Sequence, residues 1–120
     1  MTIAEAISRV DAQKHNTISQ KQKIEWLSYL ESQIHTEILD PGSSFKAFES
    51  DIDPVAYELV APHPYDEVYI LYLISKIDLA NQEITRYQNS KVLYNNAYAL
   101  LRDWWTRHHM PAQRVTHFKL

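Results

Sequence analysis

Four of the five prolines and the only glycine of this 120-residue chain fall between residues 40 and 64 (Pro41, Gly42, Pro54, Pro62, Pro64). Proline and glycine are the residues least compatible with a helix interior. Gathering them in one window leaves the chain on either side free to be helical, and Pro111 is the only other breaker. A chain of this length fits one compact domain that buries about two-thirds of its unfolded surface. Its apolar content of 45% is that of a globular protein.

Hydrophobic period places the helices. Thr2 and Glu5 have the spacing of a capping box, and Ile3, Ala6, Ile7 and Val10 recur at i, i+3, i+4, i+7, which predicts a first helix over 2–13. Ser19 with Gln22 opens a second, from about 20 to 39, whose apolar face is Ile24, Leu27, Leu30, Ile34 and Ile38. Asp40-Pro41-Gly42 stops it. From Tyr65 a third helix begins, with Asp66 and Glu67 in its first turn, where negative charge favours the helix dipole. Val68 to Ile74 is apolar all round, as a central buried helix reads, and Ile77, Leu79, Ala80 and Ile84 continue it. Asn81-Gln82 and Asn89-Ser90 are candidate breaks, and Asn89 or Ser90 can cap a fourth helix over about 90–109. That helix carries two adjacent apolar stripes. Leu93, Ala97, Leu100 and Trp104 are taken as the inner one; the other, Tyr94, Tyr98, Leu101 and Trp105, has Trp105 facing outward. The expected architecture is all-α: about four helices in a small bundle, a long Pro-rich middle loop over 40–64 and an extended C-terminal tail.

The middle loop also holds Phe45, Phe48, Val55, Tyr57, Leu59 and Val60, too apolar a set for a linker, so it is expected to lie along the bundle or along a neighbour. After Pro111 the tail alternates Val115, Phe118 and Leu120 with Arg114, His117 and Lys119, a strand-like pattern with no local partner.

Several function classes are excluded by residue types. With no cysteine there is no disulfide, thiolate zinc site or cysteine nucleophile. One glycine cannot build a P-loop or a dinucleotide-binding loop. Of the six histidines, none forms an H-x-x-x-H, H-E-x-x-H or E-x-x-H pair; His108 and His109 are adjacent and point about 100° apart on a helix, which does not suit one ion. Asp51 and Asp53 come without a nucleophile–base pair, and no serine sits in a nucleophile elbow. The reading is of a non-enzyme with no cofactor and no metal. The uncharged runs Val68–Ser75 and Val92–Leu101 are far short of the roughly 20 residues that span a bilayer, and the first residues resemble no signal peptide, so a soluble protein made in a cytoplasm is expected.

Charge is unevenly placed. Residues 37–67 hold eight acids against Lys46, and residues 102–120 hold Arg102, Arg107, Arg114 and Lys119 against Asp103. Opposite poles on one small chain suit head-to-tail self-association, with Glu49, Asp51 and Asp53 of one copy meeting Arg102 and Arg107 of the next beside Trp105. Rim ion pairs contribute only about 0–1 kcal/mol each, so the free subunit is expected to associate weakly. The basic patch beside Trp104 and Trp105 is too sparse to read as specific DNA recognition. Eight tyrosines and three tryptophans exceed what one small core requires, and Tyr, Trp and Arg are the types enriched at interface hot spots.

From Pro64 to Pro111 the residues carry a recognisable pattern: Pro64-Tyr65-Asp66-Glu67-Val68-Tyr69, Lys76 to Ile84 (KIDLANQEI), Arg86-Tyr87-Gln88-Asn89-Ser90, Tyr94-Asn95-Asn96-Ala97-Tyr98 and His108-His109-Met110-Pro111. Thr2 to Ile7 and Lys23 to Leu27 agree with it. The chain resembles small proteins from the structural gene clusters of tailed phages and prophages of Firmicutes, similar to head–tail connector (head-completion, adaptor) proteins of siphophages. The resemblance covers most of the chain outside the middle loop. It implies a helical connector domain over 1–111 that forms a homo-oligomeric ring, twelve-fold to match the portal. The ring would lie below the portal protein in the virion neck, line the exit channel for passing double-stranded DNA without sequence specificity, and offer a platform to the next neck or tail protein. It also implies that the tail, 112–120, docks on the portal or a neighbouring subunit through Arg114, Val115, His117, Phe118 and Leu120. The alternative is a phage DNA-packaging or DNA-binding accessory protein of the small-terminase kind.

Overall fold

The computed structural model describes residues 1–42 and 54–109. Among these residues the protein is all-α, with four α-helices and no strand. Helix α1 (Ile3–Gln13) begins in the expected capping box: the Glu5 amide donates to Thr2 Oγ1 (3.2 Å) and the Thr2 amide donates to Glu5 Oε1 (3.1 Å). Its stripe Ile3, Ala6, Ile7, Val10 is buried. After a turn in which Asn16 Oδ1 accepts from the Ile18 amide, Ser19 caps α2 (Gln20–Ile34) by accepting from the Gln22 amide. The helix runs on into a π turn over His35–Leu39. Gly42, at φ +85, takes the left-handed conformation that suits glycine, and its amide donates to Thr36 O.

The described part of the middle loop lies along the bundle, one of the two placements the sequence allows. After a short turn at Pro54–Ala56 it runs antiparallel to the N-terminus: the Ile3 amide donates to Tyr57 O (3.1 Å) and the Leu59 amide to Met1 O (2.9 Å). Leu59 and Ala61 are buried.

Helix α3 (Glu67–Ala80) is the central element and touches α1, α2 and α4. Val68, Tyr69, Ile70, Leu73 and Ile77 are all 1% exposed or less, because neighbours cover the helix on nearly every side. Replacing Leu73 with alanine is expected to cost about 3 kcal/mol through the cavity left among these helices. A thermal melt measures it, and a loss below about 1 kcal/mol would remove Leu73 from the centre of the core.

Of the two candidate breaks, the chain uses the one at Asn81-Gln82 and not Asn89-Ser90, so α4 (Ile84–His109) starts about six residues earlier than predicted. Gln82 adopts φ +59, which reverses the chain in three residues, and the Glu83 amide donates to Asp78 O (3.0 Å). Ile84 is therefore the first residue of α4 and 54% exposed, not a continuation of the α3 core. Ser90 caps nothing: it sits inside α4, buried, with its hydroxyl donating to Asp78 Oδ2 (2.8 Å). The short connection makes α3 and α4 an antiparallel pair. The stripe that faces α3 is Tyr94, Tyr98 and Leu101, all buried, whereas Leu93 and Leu100 are 54% and 59% exposed. Over 93–101 the leucines expected inside face outward and the Tyr94–Leu101 stripe faces inward, while Ala97, Trp104 and Trp105 are all half-buried.

Candidate functional site

Helix α4 is 26 residues long against 14 for α3, so its C-terminal part reaches past its partner, towards the π turn. Its sides build three distinct surfaces.

On one side, α2, α3 and α4 enclose a groove of about 470 Å³. Tyr29 comes from α2, Tyr72 and Lys76 from α3, and Lys91, Tyr98 and Arg102 from α4. Residues 91, 95, 98 and 102 recur at i, i+4, i+7, i+11 and so share one helical face. Each cation lies over a ring: Lys76 Nζ is 5.5 Å from the centroid of Tyr72, Lys91 Nζ 5.0 Å from that of Tyr94, and Arg102 Cζ 5.8 Å from that of Tyr98. Burial pushes the Tyr72 phenol up to about 12 and raises those of Tyr94 and Tyr98 as well, so all three remain neutral hydrogen-bonding groups at physiological pH.

On the other side, Leu93, Ala97 and Leu100 of α4 meet Leu71 of α3, with Pro64 and Tyr65 beyond, in a mainly apolar trough of about 380 Å³. At the C-terminal end of α4 the aromatic side chains pack on one another: Tyr65 stacks on Trp104 at 5.1 Å, and Trp105 stacks on His109 at 3.5 Å. His108 Nδ1 and His109 Nδ1 lie 2.9 and 3.0 Å from the carbonyls of Trp104 and Trp105, where they cap the last turn.

The predicted site residues divide accordingly. Arg102 stands in the tyrosine groove, and Arg107 is exposed near the end of α4. Trp105 does not project outward: it is half-buried and borders a small apolar cavity with Ile34, Leu39, Ala61 and Leu101, because it continues the inner stripe. Arg102 and Trp105 therefore lie on different surfaces. Glu49, Asp51 and Asp53, and the tail residues Arg114, Val115, His117, Phe118 and Leu120, lie outside the described residues. Among the described residues, no group of three His, Asp or Glu side chains is placed to hold a metal ion. None of the described helices is long and apolar enough to cross a membrane.

Sequence reasoning missed the buried charged groups Lys23, Glu31, Asp66 and Asp78, and Glu31 and Asp78 each join separate elements. Glu31, fully buried, accepts from the Tyr69 hydroxyl (2.7 Å) and the Val60 amide (2.9 Å) and is bonded by Tyr57, which ties the loop after Ala56 to α2 and α3. Desolvation raises its carboxyl above the ordinary value, against the pull of those donors. Asp78, also buried, faces Lys14 Nζ at 2.7 Å and takes the Ser90 hydrogen bond. Glu31 follows Leu27 by four positions and precedes Ile34 by three, so its place on the apolar face was available from the period alone. Compared with models of known families, with curated proteins and with solved structures, the chain matches none.

Proposed function

We propose that the protein is a structural assembly subunit and not an enzyme: a head–tail connector of a tailed phage, which forms a ring below the portal, surrounds the DNA exit channel and receives the next neck or tail protein. Support for assembly comes from the outer face of α4. Leu93 and Leu100 stand more than half exposed on one helical face beside the trough formed with Leu71, and no element of the described subunit covers them. Scattered exposed leucines are ordinary, but aligned ones along a trough mark a contact surface. The phage setting rests on the resemblance carried by residues 64–111.

Electron microscopy of particles containing the protein tests the reading, with density for this chain expected at the neck. A double substitution, Leu93→Glu with Leu100→Glu, should change the subunit's stability by no more than about 0.5 kcal/mol, since both sites are exposed. It should nevertheless prevent incorporation into particles. Density elsewhere than the neck overturns the connector reading, and normal incorporation of the variant removes the outer face of α4 from assembly.

The second reading, a DNA-packaging or DNA-binding accessory protein, draws on the basic last turn of α4, Arg107-His108-His109. Duplex DNA binding by the isolated protein that weakens steeply with salt favours it.

A further inference from the structure

The tyrosine groove lies on a different face of α4 from the exposed leucines. Its volume is within the range of ligand clefts. Among the described residues, no carboxylate lies within the 4.0 Å ion-pair distance of Lys76, Lys91 or Arg102, whereas Arg9, Lys14, Lys23 and Arg86 each have a carboxylate partner. The acid near the groove, Glu37, accepts at Oε2 from the Tyr98 hydroxyl (2.8 Å). A cation resting on an aromatic face is held in position without being neutralised. The chain has 15 acids against 12 bases, yet it gathers three bases in one concavity, and such a site is built for an anion.

The anion is extended. Lys91 and Arg102 are eleven residues apart on one helix, which separates them by about 16 Å along its axis. That is too wide for one phosphate or carboxylate, and it equals the span of about five residues of extended peptide. The sequence contains one five-residue segment of matching charge: Glu49-Ser50-Asp51-Ile52-Asp53. Acids at every second position fall on one side of an extended strand, three carboxylates for three cations.

We propose that the groove lined by Lys76, Lys91 and Arg102 receives the acidic segment 49–53 of a neighbouring copy. Pro54, the next residue after Asp53, belongs to a turn that packs on α1, and α1 contributes nothing to the groove. On that placement we assign the segment to the groove of another subunit and not to its own. A segment of one surface bound by a different surface of the next copy is a heterologous contact, the kind that closes rings. The inference rests on the reading of the protein as a self-assembling subunit, and not on its place in a virion.

The test uses the full chain with Glu49→Gln, Asp51→Asn and Asp53→Asn as receptor, so that its own segment carries no charge, and a synthetic peptide of residues 47–53 as probe. NMR titration should show saturable binding, with shifts at Tyr87, Lys91 and Asn95, that weakens as salt is raised. Adding Lys91→Gln and Arg102→Gln to the receptor should weaken binding roughly tenfold, as expected for two lost charge pairs, while its circular dichroism and melting stay unchanged. Absence of peptide binding, or equal binding by the neutralised receptor, overturns the proposal. A single-stranded oligonucleotide that shifts the same residues while the peptide is inert overturns it in favour of nucleic acid. Location of the chain in particles is read separately, so a failure of the connector reading leaves this result standing, and the reverse also holds.

Discussion

Glu31→Ala is expected to lose about 4 kcal/mol of folding stability, a cost that is large because donors, not only a carboxylate, are left behind. Both oxygens of Glu31 are in use: Oε1 accepts from the Tyr69 hydroxyl and Oε2 from the Val60 amide. Tyr69 is fully buried, and its oxygen in turn accepts from the Ala61 amide (3.0 Å). Removing the acid strands these groups away from water and frees the segment that holds Leu59 and Ala61 against the core. Glu31→Gln keeps the shape and one acceptor and should cost about half as much. The pair also yields a pH test. A carboxyl whose folded value lies above its unfolded 4.5 holds more protons folded than unfolded between those two values, so its contribution to stability falls as pH rises through that window. Wild type should therefore gain stability relative to Glu31→Gln on mild acidification towards 4.5. Denaturant midpoints at several pH values measure this. A wild-type advantage that grows with rising pH would show that the donors outweigh desolvation.

Asp78→Ala is expected to cost about 3 kcal/mol, since it strands the buried Ser90 hydroxyl and leaves the Lys14 charge only the more distant Glu83. Lys14 reaches Asp78 Oδ1 from beyond the end of α1, and Ser90 reaches Oδ2 from α4, so this one carboxylate joins three helical elements. Lys14 also lies 3.7 Å from Glu83, which holds part of its charge in place. Asp78→Asn retains an acceptor for Ser90 and should fall between wild type and alanine. An internal control is the pair Arg86–Glu83, whose arginine is 71% exposed. Arg86→Ala should lose no more than about 0.5 kcal/mol. Equal losses from Asp78→Ala and Arg86→Ala in urea unfolding would dismiss the buried junction as a source of stability.

The parts of this protein legible in its sequence are those decided within a few residues. The Thr2–Glu5 box, the Ser19 cap, the stop at Pro41-Gly42 and the stripe of α1 depend on hydrogen bonds and sterics that span at most one or two turns, so residue type and spacing suffice. The uniformly apolar start of α3 was equally plain, because a helix hydrophobic all round can only be central. Spacing does not say which of two apolar stripes on α4 faces inward. Leu93–Leu100 and Tyr94–Leu101 are equivalent by period, and the choice was made by where α3 lies once Gln82 turns the chain. Asn89-Ser90 resembled a helix break for the same reason, as the partner that turns Ser90 into a buried link, Asp78, is on another helix. Glu31 and Tyr69 are 38 residues apart, and the groove that gathers Lys76, Lys91 and Arg102 needs α2 as its third wall. Groups distant in the chain acquire meaning only when packing brings them together, because the desolvation and charge that define them are properties of the assembled surroundings.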